Sequence, residues 1–93
     1  LSYSANGKKY LLNPELGNLR LDANKNPIHG LVTFSNRWQV AEASYDTQAA
    51  WARLMLEFGK YPDWLAQFPF PHRLEITYRL RAGEVEVITE VFN

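Results

Sequence analysis

Between Arg73 and Phe92 the chain alternates so regularly that an antiparallel β-hairpin is the structure that accommodates it. Leu74, Ile76, Tyr78 and Leu80 fall on one side of an extended backbone, with Arg73, Glu75, Thr77 and Arg79 on the other. This is the period of two that puts successive side chains on opposite faces of a strand. Arg81-Ala82-Gly83-Glu84 interrupts the pattern, and Gly83 can take the positive φ that a tight turn asks for. Beyond it, Val85, Val87, Thr89 and Val91 again share a face. The reading predicts two strands joined by a short turn. Their apolar face is buried against further strands, and Glu84, Glu86 and Glu90 form a solvated face interrupted by Ile88.

The rest of the chain reads as shorter pieces of the same kind. Residues 1–27 carry turn clusters every few positions, at Ser4-Ala5-Asn6-Gly7, Asn13-Pro14 and Asn24-Lys25-Asn26-Pro27. Segments between them are too short for stable helices, and Asn6-Gly7 before Tyr10-Leu11-Leu12 predicts a hairpin. Ile28–Phe34 is expected as a strand. Trp38–Tyr45 alternates Trp38, Val40, Glu42 and Ser44 against Gln39, Ala41, Ala43 and Tyr45, as in a half-buried strand. Thr47–Phe58 contains helix-favouring residues, yet Ala50, Ala52, Leu54, Leu56 and Phe58 share one strand face, so strand is expected for its second half. Pro62–Phe68 is expected to make one helical turn with Pro62 near its start. The fold class that follows is all-β and antiparallel, with helix limited to one or two turns and no internal domain boundary.

Composition narrows the functions open to such a chain. Ten basic and ten acidic side chains among 93 residues give no net charge, which argues against nucleic acid and anionic membranes as partners. No stretch approaches the roughly 18 consecutive apolar residues of a membrane-spanning helix. The absence of cysteine excludes thiolate catalysis and thiol-ligated metals and leaves the compartment open. Leu1 opens the chain without a methionine or a signal pattern, so the chain is expected to begin within a longer protein or after processing.

No G-x-G-x-x-G, P-loop or G-x-S-x-G is present, so nucleotide cofactors and a serine-hydrolase elbow have no support. His29 and His72 are far apart, and neither has a metal-ligand neighbour at i±4, so no metal is expected. His29 follows Asn26-Pro27-Ile28 and precedes Gly30, where a loop passes into an apolar segment and a glycine permits close approach. The residues fit either a working imidazole or a strand-end histidine bonded to a backbone carbonyl. His72, behind Phe68-Pro69-Phe70-Pro71, reads as structural. Trp38, Trp51 and Trp64 read as core anchors before sugar-stacking platforms, and no pair among Glu84, Glu86 and Glu90 reads as a glycosidase acid and base.

Asn26-Pro27-Ile28-His29-Gly30 with Trp38 soon after, and then Phe68-Pro69-Phe70-Pro71-His72-Arg73-Leu74-Glu75-Ile76-Thr77-Tyr78-Arg79-Leu80, Gly83-Glu84-Val85-Glu86-Val87 and Val91-Phe92-Asn93, together resemble the aldose 1-epimerase (galactose mutarotase) family in order and separation. The resemblance covers roughly residues 8–93. It implies a slice of a larger antiparallel β-sandwich that binds a hexose in an open groove and interconverts its α and β anomers without a cofactor. It also implies that His29 helps to bind and polarise the sugar, with Asn26 as a further substrate contact. The family's general-acid histidine and general-base glutamate have no counterpart here, and Asn18-Leu19-Arg20 does not match the spacing of its Asn-Arg pair. Related hexose-6-phosphate mutarotases carry an arginine soon after the His-Gly turn. Thr33 stands four residues after His29 and Arg37 lies further on, so a neutral sugar is favoured. The expected partners are a hexose and the remaining part of the same sandwich, in the same or a second polypeptide. The alternative reading is a non-catalytic carbohydrate-binding β-sandwich module.

Overall fold

The computed structural model describes residues 2–16, 19–33 and 35–93. The chain is mostly antiparallel β and groups into two compact units: residues up to Asn36 with Tyr61–Phe70, and Arg37–Lys60 with Pro71–Asn93. Among the described residues no helix is long and apolar enough to cross a membrane.

In the first unit, β1 (Ser2–Ala5) and β2 (Lys8–Leu11) pair with Ala5 opposite Lys8. This leaves Asn6 and Gly7 as a two-residue loop. Both have positive φ, 52° and 77°, the combination that a type I′ turn requires and that Asn-Gly supplies most readily. The register sets Tyr3 opposite Tyr10, and their rings stack at 5.2 Å. Phe68 lies against Tyr3 and Phe70 against Tyr10. The single α-helical turn among the described residues, α1 (Pro62–Leu65), begins on Pro62, whose missing N–H costs nothing there. It buries Trp64 against the edge of Tyr61.

Two residues past α1, Gln67 is a polar side chain at 2% exposure, and its bonds explain how burial is tolerated. Its Oε1 accepts the Asn13 backbone N–H at 2.8 Å, its Nε2 donates to the Asp63 carbonyl at 3.2 Å, and its own carbonyl accepts the Tyr3 hydroxyl at 2.6 Å. Burial, with Tyr10 alongside, raises the Tyr3 pKa and keeps that hydroxyl a donor. Gln67→Leu fills similar space but strands the Asn13 N–H. We therefore expect a loss of about 1–3 kcal/mol in urea melts, with Gln67→Glu measured alongside to separate lost bonding from changed shape.

The second unit is a four-stranded sheet in the order β5 (Gln39–Tyr45), β6 (Ala49–Glu57), β7 (Arg73–Arg81), β8 (Glu84–Phe92). β6, β7 and β8 pair in regular register over nine residues each. The strand expected for the second half of Thr47–Phe58 runs the whole length of β6. Hydrogen bonding on both sides outweighs the helix preference of Ala49–Leu56. Arg81 lies opposite Glu84, so Ala82-Gly83 is the turn, with Gly83 at φ 76°.

The alternation sorts this sheet into two unlike faces. One carries Val40, Ala43, Tyr45, Ala50, Ala52, Leu54, Leu56, Leu74, Ile76, Tyr78, Leu80, Val85, Val87 and Val91, with no charged side chain. The other carries a lattice of ion pairs. Arg53 reaches Glu42 at 2.8 Å and Glu75 at 3.7 Å, Arg73 lies near Glu57 and Glu75, and Arg79 meets Glu86 at 3.3 Å. Such half-exposed pairs each contribute little to stability and chiefly fix register.

Three expectations are corrected here. The apolar face of the terminal hairpin is not buried: Leu74 and Ile76 are half-buried, Tyr78 and Leu80 are exposed, and Val85 and Val91 are 71% and 63% exposed. β5 is exposed along its whole length and not half-buried. Its simple alternation also fails, because the register shifts between Val40 and Glu42. The extra residue, Ala41, inverts the parity, putting Val40 with Ala43 and Tyr45 and turning Glu42 towards Arg53.

The β5–β6 hairpin is closed by Asp46, whose Oδ1 accepts the Gln48 and Ala49 backbone N–H groups at 2.8 Å each. Those two bonds hold the Asp46 carboxyl below its usual range, with a smaller pull from Arg81. The folded state thus binds its proton less readily than the unfolded chain, which titrates near about 3.9. The turn's stabilisation is complete above that value and disappears as pH falls through the lowered folded value. Acid titration followed by NMR should show the Gln48 and Ala49 amides moving together at the Asp46 midpoint, and Asp46→Asn should abolish the step.

Candidate functional site

The segment that carries Asn26 and His29 is a small hairpin in the first unit. β3 (Arg20–Leu21) pairs with β4 (Pro27–Ile28), Arg20 opposite Ile28 and Leu21 opposite Pro27. The loop between them is organised by Asp22. Its backbone N–H donates to the Asn26 carbonyl at 2.9 Å, and its Oδ1 accepts the Asn24 and Asn26 N–H groups at 2.8 and 2.9 Å. Lys25, which donates its N–H to the Asp22 carbonyl, sits at φ 63°. Both backbone polar groups of Asn26 are therefore used to close the loop, and the residue itself is exposed.

His29 comes immediately after β4, and the strand expected over Ile28–Phe34 ends there. His29 has φ 64° and Gly30 φ 67°. Two successive left-handed residues turn the chain out of the extended conformation that pairing needs, so the β-branched character of Val32 and Thr33 has no ladder to join. Turns follow through Thr33, and Phe34 lies outside the described residues. The Thr33 hydroxyl donates to the His29 carbonyl and ties the turn across four residues. A side chain at Gly30 would meet nothing within 4 Å, so the turn stands open. His29 is exposed, three residues from Asn26, at the mouth of this hairpin.

The other sequence candidates lie in the second unit. The His72 ring stacks on Phe58 at 4.5 Å, and the His72 carbonyl accepts the Phe58 N–H at 3.0 Å. It thus closes the entry to β7, the structural role expected of it. Glu84 and Glu86 line a shallow depression with Arg79 and Arg81 at the end of the β7–β8 hairpin, as members of the ion-pair face. Among the described residues no three His, Asp or Glu side chains come together as metal ligands would. Arg37 and Thr33 remain on the loop that leaves the His29 turn, whereas Asn18 of Asn18-Leu19-Arg20 lies outside the described residues.

Sequence reasoning missed Gln67, because a lone glutamine between Ala66 and Phe68 gives no sign that it will be enclosed. It also missed Asp22 as the organiser of the loop before His29. There the signal was available: aspartate two residues ahead of an Asn-Lys-Asn turn is a side chain placed to bond the backbone following it. Comparison with protein-family models, curated proteins and solved structures found no match.

Proposed function

We infer that the chain is part of an aldose 1-epimerase-like isomerase that binds a hexose and interconverts its α and β anomers by acid/base ring opening. The observation that carries this reading is His29 itself. It closes Asn26-Pro27-Ile28-His29-Gly30 as an exposed imidazole on a left-handed backbone. A non-glycine residue held at positive φ is a cost that recurs at binding and catalytic positions. Further support comes from the charge-free face of the β5–β8 sheet, which is the inner face that a β-sandwich requires. The second sheet would come from the remaining part of the protein, in the same or a second polypeptide.

In this reaction a base takes the proton of the C1 hydroxyl while an acid protonates the ring oxygen. The bond between C1 and that oxygen breaks, the aldehyde end rotates, and closure on the other face returns both protons. His29 binds and polarises the sugar, with Asn26 as a neighbouring contact. The acid histidine and base glutamate are supplied outside these residues. Galactose or glucose titrated over the millimolar range should therefore move the NMR signals of His29 and Asn26 and leave His72 in place. Polarimetry of fresh α-galactose should show acceleration once the complementary part of the sandwich is added, and none by residues 1–93. Shifts at His72 with none at His29 would overturn the assignment. Sugar binding by the assembled protein without acceleration would favour a non-catalytic carbohydrate module.

A further inference from the structure

The two edges of the four-stranded sheet are not equivalent. β5 is interrupted at Ala41, the kind of irregularity that discourages further pairing. β8 runs nine residues in unbroken register with β7, contains no proline, and is exposed from Glu84 to Val91. Its outer row of backbone groups is a template for another strand.

The charges along β8 say what kind of strand fits. Glu84 and Glu86 already face Arg81 and Arg79 across the ladder, the latter pair as an ion pair at 3.3 Å. Glu90 instead stands directly opposite Glu75. The two arginines beside Glu75 are shared, Arg53 with Glu42, and Arg73 with Glu57 and with the ring of Phe92, 4.6 Å from its guanidinium, so with Glu90 two cations stand against four carboxylates. Glu90 has no ion pair among the described residues. Like charges directly opposite one another weaken a sheet, and a cation on the neighbouring strand would relieve them. Pairing of β8 with a second copy, centred on Ile88, would set Glu86 against Glu90 of that copy and add repulsion.

We propose that the outer edge of β8 accepts an extended strand from a partner segment, one that places a lysine or arginine beside Glu90 and alternates it with apolar residues continuing the face of Val85, Val87 and Val91. This strand addition is independent of any sugar chemistry.

The test uses two labelled nine-residue peptides of alternating valine and threonine, one with lysine and its twin with glutamate at the position facing Glu90. They are titrated into the full chain and followed by fluorescence anisotropy, with NMR amide exchange as a second readout. The lysine peptide should bind at least about tenfold more tightly than its twin and protect amides of β8 and not those of β5. Glu90→Lys, an exposed change, should reverse the preference, and Glu90→Gln should level it. Equal binding of both peptides, binding of neither, an unchanged preference in Glu90→Lys, or concentration-dependent protection of β8 by self-pairing would each overturn the proposal.

Discussion

Trp64→Ala is expected to cost about 3–5 kcal/mol, the range for truncating a large buried aromatic side chain. Trp64 is 1% exposed, packs edge-on against Tyr61 at 5.0 Å, and sits in a helix of four residues. So short a helix has no stability of its own, and it persists because its tryptophan is enclosed. The Trp64 carbonyl also accepts the Gln67 and Phe68 N–H groups, so losing the anchor loosens the turn that brings Gln67 to Asn13 and Tyr3. A domain of this size is stabilised by roughly 0.05–0.15 kcal/mol per residue. The variant should therefore populate unfolded chain even without denaturant, visible as a lowered urea midpoint and lost far-ultraviolet signal. Trp64→Phe, which leaves a smaller cavity, should fall between. A Trp64→Ala variant within 0.5 kcal/mol of the parent, taking that as the ordinary range of surface changes, would mean that the indole does not hold this unit together.

The residues that made the fold legible are those where one force acts without competition. Along β7 and β8, alternation, the Ala82-Gly83 turn and opposite charges at Arg79 and Glu86 all favour one register, and the hairpin could be read from sequence. Asn6-Gly7 was equally plain, because few dipeptides tolerate two positive φ values. β6 was harder, since Ala49–Leu56 suits a helix by intrinsic preference, and strands on both sides decided the matter.

Where reading failed, a single residue changed the geometry without a marker in composition. Ala41 as an added residue reverses the faces of β5, and nothing about an alanine announces it. The left-handed turn at His29 ends a run whose β-branched residues otherwise spell strand. Gly30 hinted at a bend, but histidine joining it at positive φ did not follow from residue type. The loop before His29 was legible from Asn24-Lys25-Asn26-Pro27, but its closure as a short hairpin that ends just before His29, where a strand was expected to begin, was not. The Asp22 bonds that shape it depend on a loop closing back on itself.

The same left-handed turn decides how the role proposed for His29 should be probed. Alanine at φ 64° carries a backbone penalty that asparagine largely escapes, since asparagine is among the residues that enter this region most readily. His29→Asn therefore removes the imidazole while leaving the turn and the Thr33 bond to the residue 29 carbonyl. If the proposed function holds, His29→Asn in the assembled protein should slow anomer interconversion by about 10²-fold or more, close to 3 kcal/mol of transition-state stabilisation, as expected when a positioned polar or acid–base group is lost. His29→Ala should do the same and lose some stability besides. Polarimetry supplies the rates and urea melts the stabilities, so chemistry and folding are read apart. If His29→Asn retains the parent's rate, the imidazole does not act on the sugar and the turn is a structural feature of the hairpin. If both variants lose rate only in proportion to lost folded protein, the same conclusion follows. A selective loss in the folded asparagine variant is the outcome that the exposed, left-handed His29 predicts.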